Sequence, residues 1–277
     1  MVPATFNVIP PSPKDAIGGS QFARMTTNMT SAQRQEAALQ ELRRGNIPKF
    51  MRTFLPVVLT YVPDSTGETI TAVIWVSPDY LSIGSDNDFL RIPLSYPSAV
   101  TIASELGCVL PTRKIVDAIY QQSFFHYIPQ PLPPGPEMCS NNYFLRHQRK
   151  IEQQSMKGSL GKLVSGHKKD LVLTNRLWAK PGRVAIYGWH KMNEEPIQPL
   201  STVHCASYAD YSHGVRLVYQ IALINGHYHS IYDVLEDSTL APVLTYEGTI
   251  FNSRDLMTFP SLKQNRMAFR NTTGLRE

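Results

Sequence analysis

The chain reads as an α+β protein, with helices and hairpins mixed in its N-terminal part and a β-rich C-terminal part. Three observations carry this reading. Two β-branched runs, 57–62 and 69–76, flank a polar turn at 63–68 as the arms of a hairpin do. Segments 31–44, 97–106 and 112–122 place apolar residues on one face at helical spacing. From Leu171 onward the apolar runs become short and turn residues separate them.

Taken in order, residues 1–29 read as an extended lead-in, because Pro10, Pro11 and Pro13 oppose a helix. A helix should follow over 31–44. Thr30 caps it, Gln33 completes a capping box, and Gly45 stops it. After the hairpin come two shorter strands, 80–83 and 89–94, around the acidic turn 85–88. Asp86 and Asp88 lack the spacing and distal Glu of a calcium loop, so a plain turn is preferred. Helices are expected over 97–106 and 112–122, with Cys108 between them as a small core residue.

The run 127–137, YIPQPLPPGPE, is the clearest break, and its composition favours polyproline II. The chain therefore divides into an α+β part over 1–126, a proline-rich strap or linker over 127–142, and a β-rich part over 143–277. The last part should open on a basic helix, 143–154, and a Gly/Ser-containing loop, 155–166. Strands are expected at 171–174, 184–187 and 215–224. Asn225-Gly226 should turn a hairpin across 216–232. A short helix over 234–244 and a polar tail from Thr258 complete the chain.

Composition sets limits on function. With 277 residues the chain can bury a sizeable core, and 42% hydrophobic against 18% charged residues excludes a disordered protein. The net charge of +5 admits an anionic partner without requiring one. Much of the excess lies in Arg146, Arg149, Lys150, Lys157, Lys162, Lys168 and Lys169, which read as a solvated helix and loop. No nucleic-acid motif is present, and no apolar run is long enough for a transmembrane segment. The first residues lack the organisation of a signal peptide. An exported protein whose signal has been removed is preferred over an intracellular one. Three cysteines, Cys108, Cys139 and Cys205, allow at most one disulfide.

Chemistry-bearing residues gather in 182–218. His190, His204 and His213 with Asp210 offer nitrogen and oxygen ligands suited to zinc, although no HExxH motif is present. Hydrogen-bonded histidines of a strand and loop network are the plain alternative. Cys205 beside His204 is a candidate nucleophile, and a buried free cysteine is its plain alternative. His167 and Lys169 open an apolar strand; the first can act as a base and the second can hold an anionic group. A charged turn explains both as well. A serine triad within 210–214 is disfavoured, because neighbouring residues on a strand point to opposite faces. Tyr187, Trp189, Tyr208 and Tyr211 can line a sugar or peptide cleft, or simply pack.

Ser212-His213-Gly214-Val215-Arg216-Leu217 resembles the S-H-G-C-x-R/N signature of L,D-transpeptidases. Val215, or a one-residue deletion, stands where that family has its nucleophilic cysteine, and Tyr187 stands where its upstream histidine would be. The resemblance implies a β-rich scaffold, a cell-wall-like polymer as ligand, and Ser212, His213, Gly214 and Arg216 near the site. It does not carry transpeptidase activity over. GHKKDLVLTNRL, VAIYGWH, PIQPLSTVH and YADYSHGVRL also look like an uncharacterised, apparently exported bacterial family.

The leading expectation is a hydrolase acting on a peptide or glycan polymer. His167, Lys169, Asp210 and His213 would be catalytic. His190, His204, Asp210 and His213 would hold a metal, with zinc the candidate. Trp189, Tyr211, Ser212, Gly214 and Arg216 would bind. A Cys205-dependent hydrolase is the enzymatic variant. A non-catalytic module for a cell-surface polymer, or a structural protein, are the competing classes.

Overall fold

The computed structural model describes residues 2–64 and 67–258. The chain is α+β, with 31% helix and 24% strand. The polar tail expected from Thr258 lies, from residue 259 on, outside the described residues.

The N-terminal lead-in contains a helix that its sequence does not announce, α1 (Gly19–Met25). The carboxylate of Asp88, far along the chain, accepts from the Ser20 N–H at 2.9 Å and from its hydroxyl at 2.7 Å. A tertiary contact thus supplies the N-terminal anion that the local sequence lacks. The second helix, α2 (Ser31–Arg43), follows the expected capping rules. The Thr30 hydroxyl accepts from the Gln33 N–H, and the Gln33 side chain returns a bond to the Thr30 N–H. Thr30→Ala should cost about 1 kcal/mol in urea unfolding, the usual weight of an N-cap. An unchanged midpoint would show that tertiary packing alone holds this helix.

The hairpin expected from the β-branched runs is β1 (Leu55–Tyr61) and β2 (Ile70–Val76), paired antiparallel over their whole length. Next come β3 (Ser82–Ser85) and β4 (Asp88–Arg91), joined by an acidic turn. Asp86 spends a carboxylate oxygen on the Phe50 N–H, as a turn residue does. Helices α3 (Tyr96–Glu105) and α4 (Arg113–Gln122) flank the short β5 (Cys108–Val109). Strand β6 (Phe125–His126) leads into the proline-rich strap, which ends in α5 (Asn141–Glu152).

The rest alternates short strands and single-turn helices. Its strands are β7 (Val164–Ser165), β8 (Lys169–Leu171), β9 (Ile186–His190), β10 (Pro196–Ser201), β11 (His213–Gly214), β12 (Val218–Tyr219), β13 (Ile221–Ile224) and β14 (His227–Ser230). Asn225 and Gly226 have φ of 46° and 87°, so the β13–β14 turn is of the mirror-image kind that matches strand twist. The single helix expected over 234–244 is two, Ile231–Glu236 and Ala241–Leu244. The Asp237 carboxylate interrupts it by taking the N–H groups of Thr239 and Leu240.

Two sheets organise these elements. In the first the order is β14-β13-β2-β12-β5, with β1 also on β2. The second is β10-β9-β8-β11, in which β11 runs parallel to β8 and the other pairs are antiparallel. The first sheet draws strands from both sides of the strap, and one hydrophobic cluster extends from Ile9 to Met257. The division expected at residue 127 therefore does not separate two cores. The proline-rich segment is held to the later part of the chain: the Leu132 N–H donates to the Tyr211 hydroxyl at 2.7 Å, and that hydroxyl donates back to the Leu132 carbonyl at 3.2 Å.

Candidate functional site

Strand β9 sorts the candidate residues into two groups. Trp189 has φ of 58°, which breaks the alternation of the strand. Its ring turns toward α5 and the β11 segment, 6.1 Å from the His147 ring and 6.3 Å from that of Tyr211. Tyr187 and His190 turn to α4. Asp117 accepts there from the Tyr187 hydroxyl at 2.7 Å and bonds His190 Nε2 at 3.1 Å.

On the Trp189 side lies a polar cluster built on β8, β11 and the turn before β11. Parallel pairing of β11 on β8 sets His213 opposite Lys169. Lys169 Nζ stands 5.3 Å from the centre of the Trp189 ring. The turn before β11 carries Asp210. One of its oxygens accepts from the Ser212 N–H at 2.7 Å and hydroxyl at 2.5 Å, and the other from the Tyr208 hydroxyl at 3.1 Å. His204 stacks on Tyr208 at 4.3 Å, and the His213 ring stands at an angle to the same ring, 5.7 Å away.

His213 is the unusual member. It is fully buried, and neither ring nitrogen has a hydrogen-bond partner among the described residues. Buried polar atoms are ordinarily paired, so two open nitrogens on one ring need an explanation. Burial pushes the imidazole down to about 4, against the pull of Asp210. It is therefore neutral near pH 7. Burial also raises the Asp210 carboxyl, but His213, the Ser212 hydroxyl and Lys169 outweigh it and leave it below the usual range. Burial lowers the Lys169 ammonium, against Asp210. A neutral base, an ionised acid and a weakened ammonium thus share one site. Lys169, His204 and Tyr208 are half-buried and form its open side.

Other expected members lie elsewhere. His167 bonds Asp79 at 2.9 Å, and Asp79 also takes Arg91 at 2.6 Å. This buried ion network is separate from the His213 cluster. His190 is held by Asp117, so the set His190, His204, Asp210 and His213 does not converge. Among the described residues, no group of three His, Cys, Asp or Glu is placed to hold a metal ion. Arg216 is wholly buried; it donates to the carbonyls of Ser77 and Val164 and covers the Tyr80 ring. It ties the two halves of the chain together from within the core. Ser212, Gly214, Tyr211 and Trp189 are also buried, so they shape the site from behind. A Cβ at Gly214 would come within 2.5 Å of the Tyr80 ring, so glycine there permits packing. Cys205 is exposed, and its sulfur stands 3.3 Å from the Ser207 hydroxyl.

One residue of the cluster was not signalled by the sequence. Cys139 closes the strap, directly before the N-cap Ser140 of α5. Burial raises its thiol, and the charge of Asp210 raises it further. A long stretch of chain separates it from His204 and His213, and no local pattern marks it. The chain matches no known family model, no curated protein and no solved structure.

Proposed function

We propose that the chain is a hydrolase acting on a peptide or glycan polymer, with His213 and Asp210 as its acid–base pair. The observation that carries this reading is the buried, neutral His213, with both ring nitrogens open, beside an ionised Asp210. Folding places the imidazole out of water and leaves its hydrogen-bonding capacity unused, an arrangement that a substrate or an attacking water would complete. Lys169 supplies a positive group where negative charge develops on a substrate oxygen. Asp210 holds the charge that accumulates when His213 takes a proton.

The test is turnover of a panel of fluorogenic peptides and dyed glycan polymers. Asp210→Asn and His213→Gln should each lower kcat/KM by about 10²–10⁴, the usual weight of a positioned acid or base. Unchanged rates in both variants, or no turnover by the wild-type chain, would reject the reading. A cleft on the α4 side of β9 favours the competing binding module. It has a volume of ≈ 200 Å³ and is lined by Asp117, Tyr187, His190 and Tyr246, among others. Saturable polymer binding without turnover, weakened by Tyr246→Ala, would support that alternative.

A further inference from the structure

We infer that the surface formed by 124–128 and 154–163 docks on an anionic membrane surface. Its apolar side chains enter the headgroup layer, and the lysines and arginines around them meet the lipid phosphates. The inference goes beyond the hydrolase reading and does not depend on it.

Four large apolar side chains stand open here: Phe124, Ile128, Met156 and Leu160 are 49–62% exposed. None of them belongs to the hydrophobic core of the described residues. Single exposed apolar residues are ordinary, but a group of them in one place marks an interaction surface. Bonds between the two segments hold the group together. The Phe124 N–H donates to the Leu163 carbonyl at 2.8 Å. The Ile128 N–H donates to Gln154 Oε1 at 2.8 Å, and Gln154 Nε2 donates back to the Ile128 carbonyl at 3.0 Å. Met156 and Leu160 line one cavity with Tyr127 and Lys162. Two successive tight turns raise the tip. The Ser159 N–H donates to the Met156 carbonyl at 3.1 Å, and the Lys162 N–H to the Ser159 carbonyl at 3.0 Å. Ser159 is buried at their junction, while Met156, Lys157 and Leu160 are exposed. A Cβ at Gly158 would meet nothing within 4 Å beyond its chain neighbours, so the tip stands clear of the rest of the molecule.

Charge identifies the partner. From Arg146 to Lys162 the chain carries five cations, Arg146, Arg149, Lys150, Lys157 and Lys162, against one acid, Glu152. Glu152 already accepts from Gln148 Nε2 at 2.9 Å. Arg149 and Lys150 form the last turn of α5, which leads directly into the loop. Lys162 Nζ stands 5.8 Å from the centre of the Phe124 ring, so cation and apolar group are neighbours. None of the five cations makes an ion pair among the described residues. Free cations alone suit any polyanion. The apolar side chains between them decide for a bilayer, whose interface takes such groups in while its anionic lipids hold the flanking cations. A nucleic acid or another charged polymer in water offers Met156 and Leu160 no apolar medium to enter.

The experiment is co-sedimentation of the full chain with two kinds of vesicle, one of phosphatidylglycerol mixed with phosphatidylcholine, the other of phosphatidylcholine alone. The chain should pellet with the first and stay in the supernatant with the second. Lys157→Gln with Lys162→Gln should weaken binding about tenfold or more, since each cation at an anionic leaflet contributes roughly a factor of five. Met156→Ser with Leu160→Ser should weaken it about as much, because less apolar surface leaves water. Met192→Ser, at an exposed methionine beyond β9, should leave binding unchanged. All of these side chains are exposed, and near-ultraviolet circular dichroism confirms that each variant is folded. Failure to pellet with the anionic vesicles, or equal pelleting with both kinds, would overturn the inference. Binding that falls in the lysine pair but not in the methionine–leucine pair would overturn it too, and would assign the cations to a soluble polyanion. Turnover of the peptide or glycan panel by a chain that ignores vesicles would reject the membrane surface and leave the hydrolase standing.

Discussion

Asp79→Asn should lower the unfolding free energy by about 3–5 kcal/mol, the cost of leaving a buried cation without its partner. Asp79 accepts from Arg91 Nε and Nη2, at 3.0 and 2.6 Å, from the Tyr80 N–H at 2.6 Å and bonds His167 Nε2 at 2.9 Å. Burial alone would raise its carboxyl, yet Arg91 and His167 hold it well below the usual range. The amide of the variant would keep one oxygen and lose the charge, so the guanidinium of Arg91 would remain buried and unpaired. Urea unfolding at pH 7 checks this. The double variant Asp79→Leu with Arg91→Met should recover most of the loss, because removing both charges removes the desolvation cost. A double variant as unstable as the single one would show that the network is held for its shape and not for its charge.

Stability should also fall steeply between pH 6.5 and 4. His167 and His213 are each pushed down to about 4 by burial, and His147 well below its ordinary value by the same cause. Their folded values lie below the unfolded ones, so the unfolded chain binds more protons in this window. Stability is therefore present above the unfolded pKa and lost as the pH drops toward the folded one. Asp170 works in the opposite sense. Burial raises its carboxyl to about 6, so it favours the folded state on acidification. Three histidines against one carboxyl leave a net loss of stability in this window. Urea midpoints at pH 7, 6, 5 and 4.5 measure the slope. His147→Phe should flatten it: His147 packs on Tyr211 at 5.0 Å and neither of its nitrogens has a partner among the described residues. An identical slope in that variant would place the titration elsewhere.

Much of the fold was legible because the local chemistry agreed with it. Thr30 and Gln33 made the capping box they suggested, the β-branched runs paired as a hairpin, and Asn225-Gly226 turned as that dipeptide does. Local reading failed where distant groups decide. Helix α1 depends on Asp88, and the boundary expected at the strap dissolved because β12 inserts beside β2. For the site, the sequence gathered His190, His204, Asp210 and His213 in 182–218 and put His167 and Lys169 in a separate polar knot; in the structure Lys169 stands opposite His213, while His167 bonds Asp79. The sequence could not foresee that Trp189 would turn against the strand alternation, which sends His190 to the opposite side. Nor could it tell an arginine that binds ligands from Arg216, which sits in the core. Cys139 escaped notice because its neighbours in space are assembled from a strap and a turn far apart along the chain.

The junction of β2 with β12 has a topological consequence. Val76 pairs with Val218, and the Leu217 N–H reaches back 140 residues to the Ser77 hydroxyl. The chain between is an excursion from this sheet that touches it again at β5, on the far side of β12, and is clasped at its base. The exposed stretch around Lys157 and Gly158 lies near the middle of that excursion. A single protease cut there would leave two pieces that interleave in the same sheet and stay associated. Expressed apart, neither piece would hold a complete sheet, and mixing them should restore the native circular dichroism by fragment complementation.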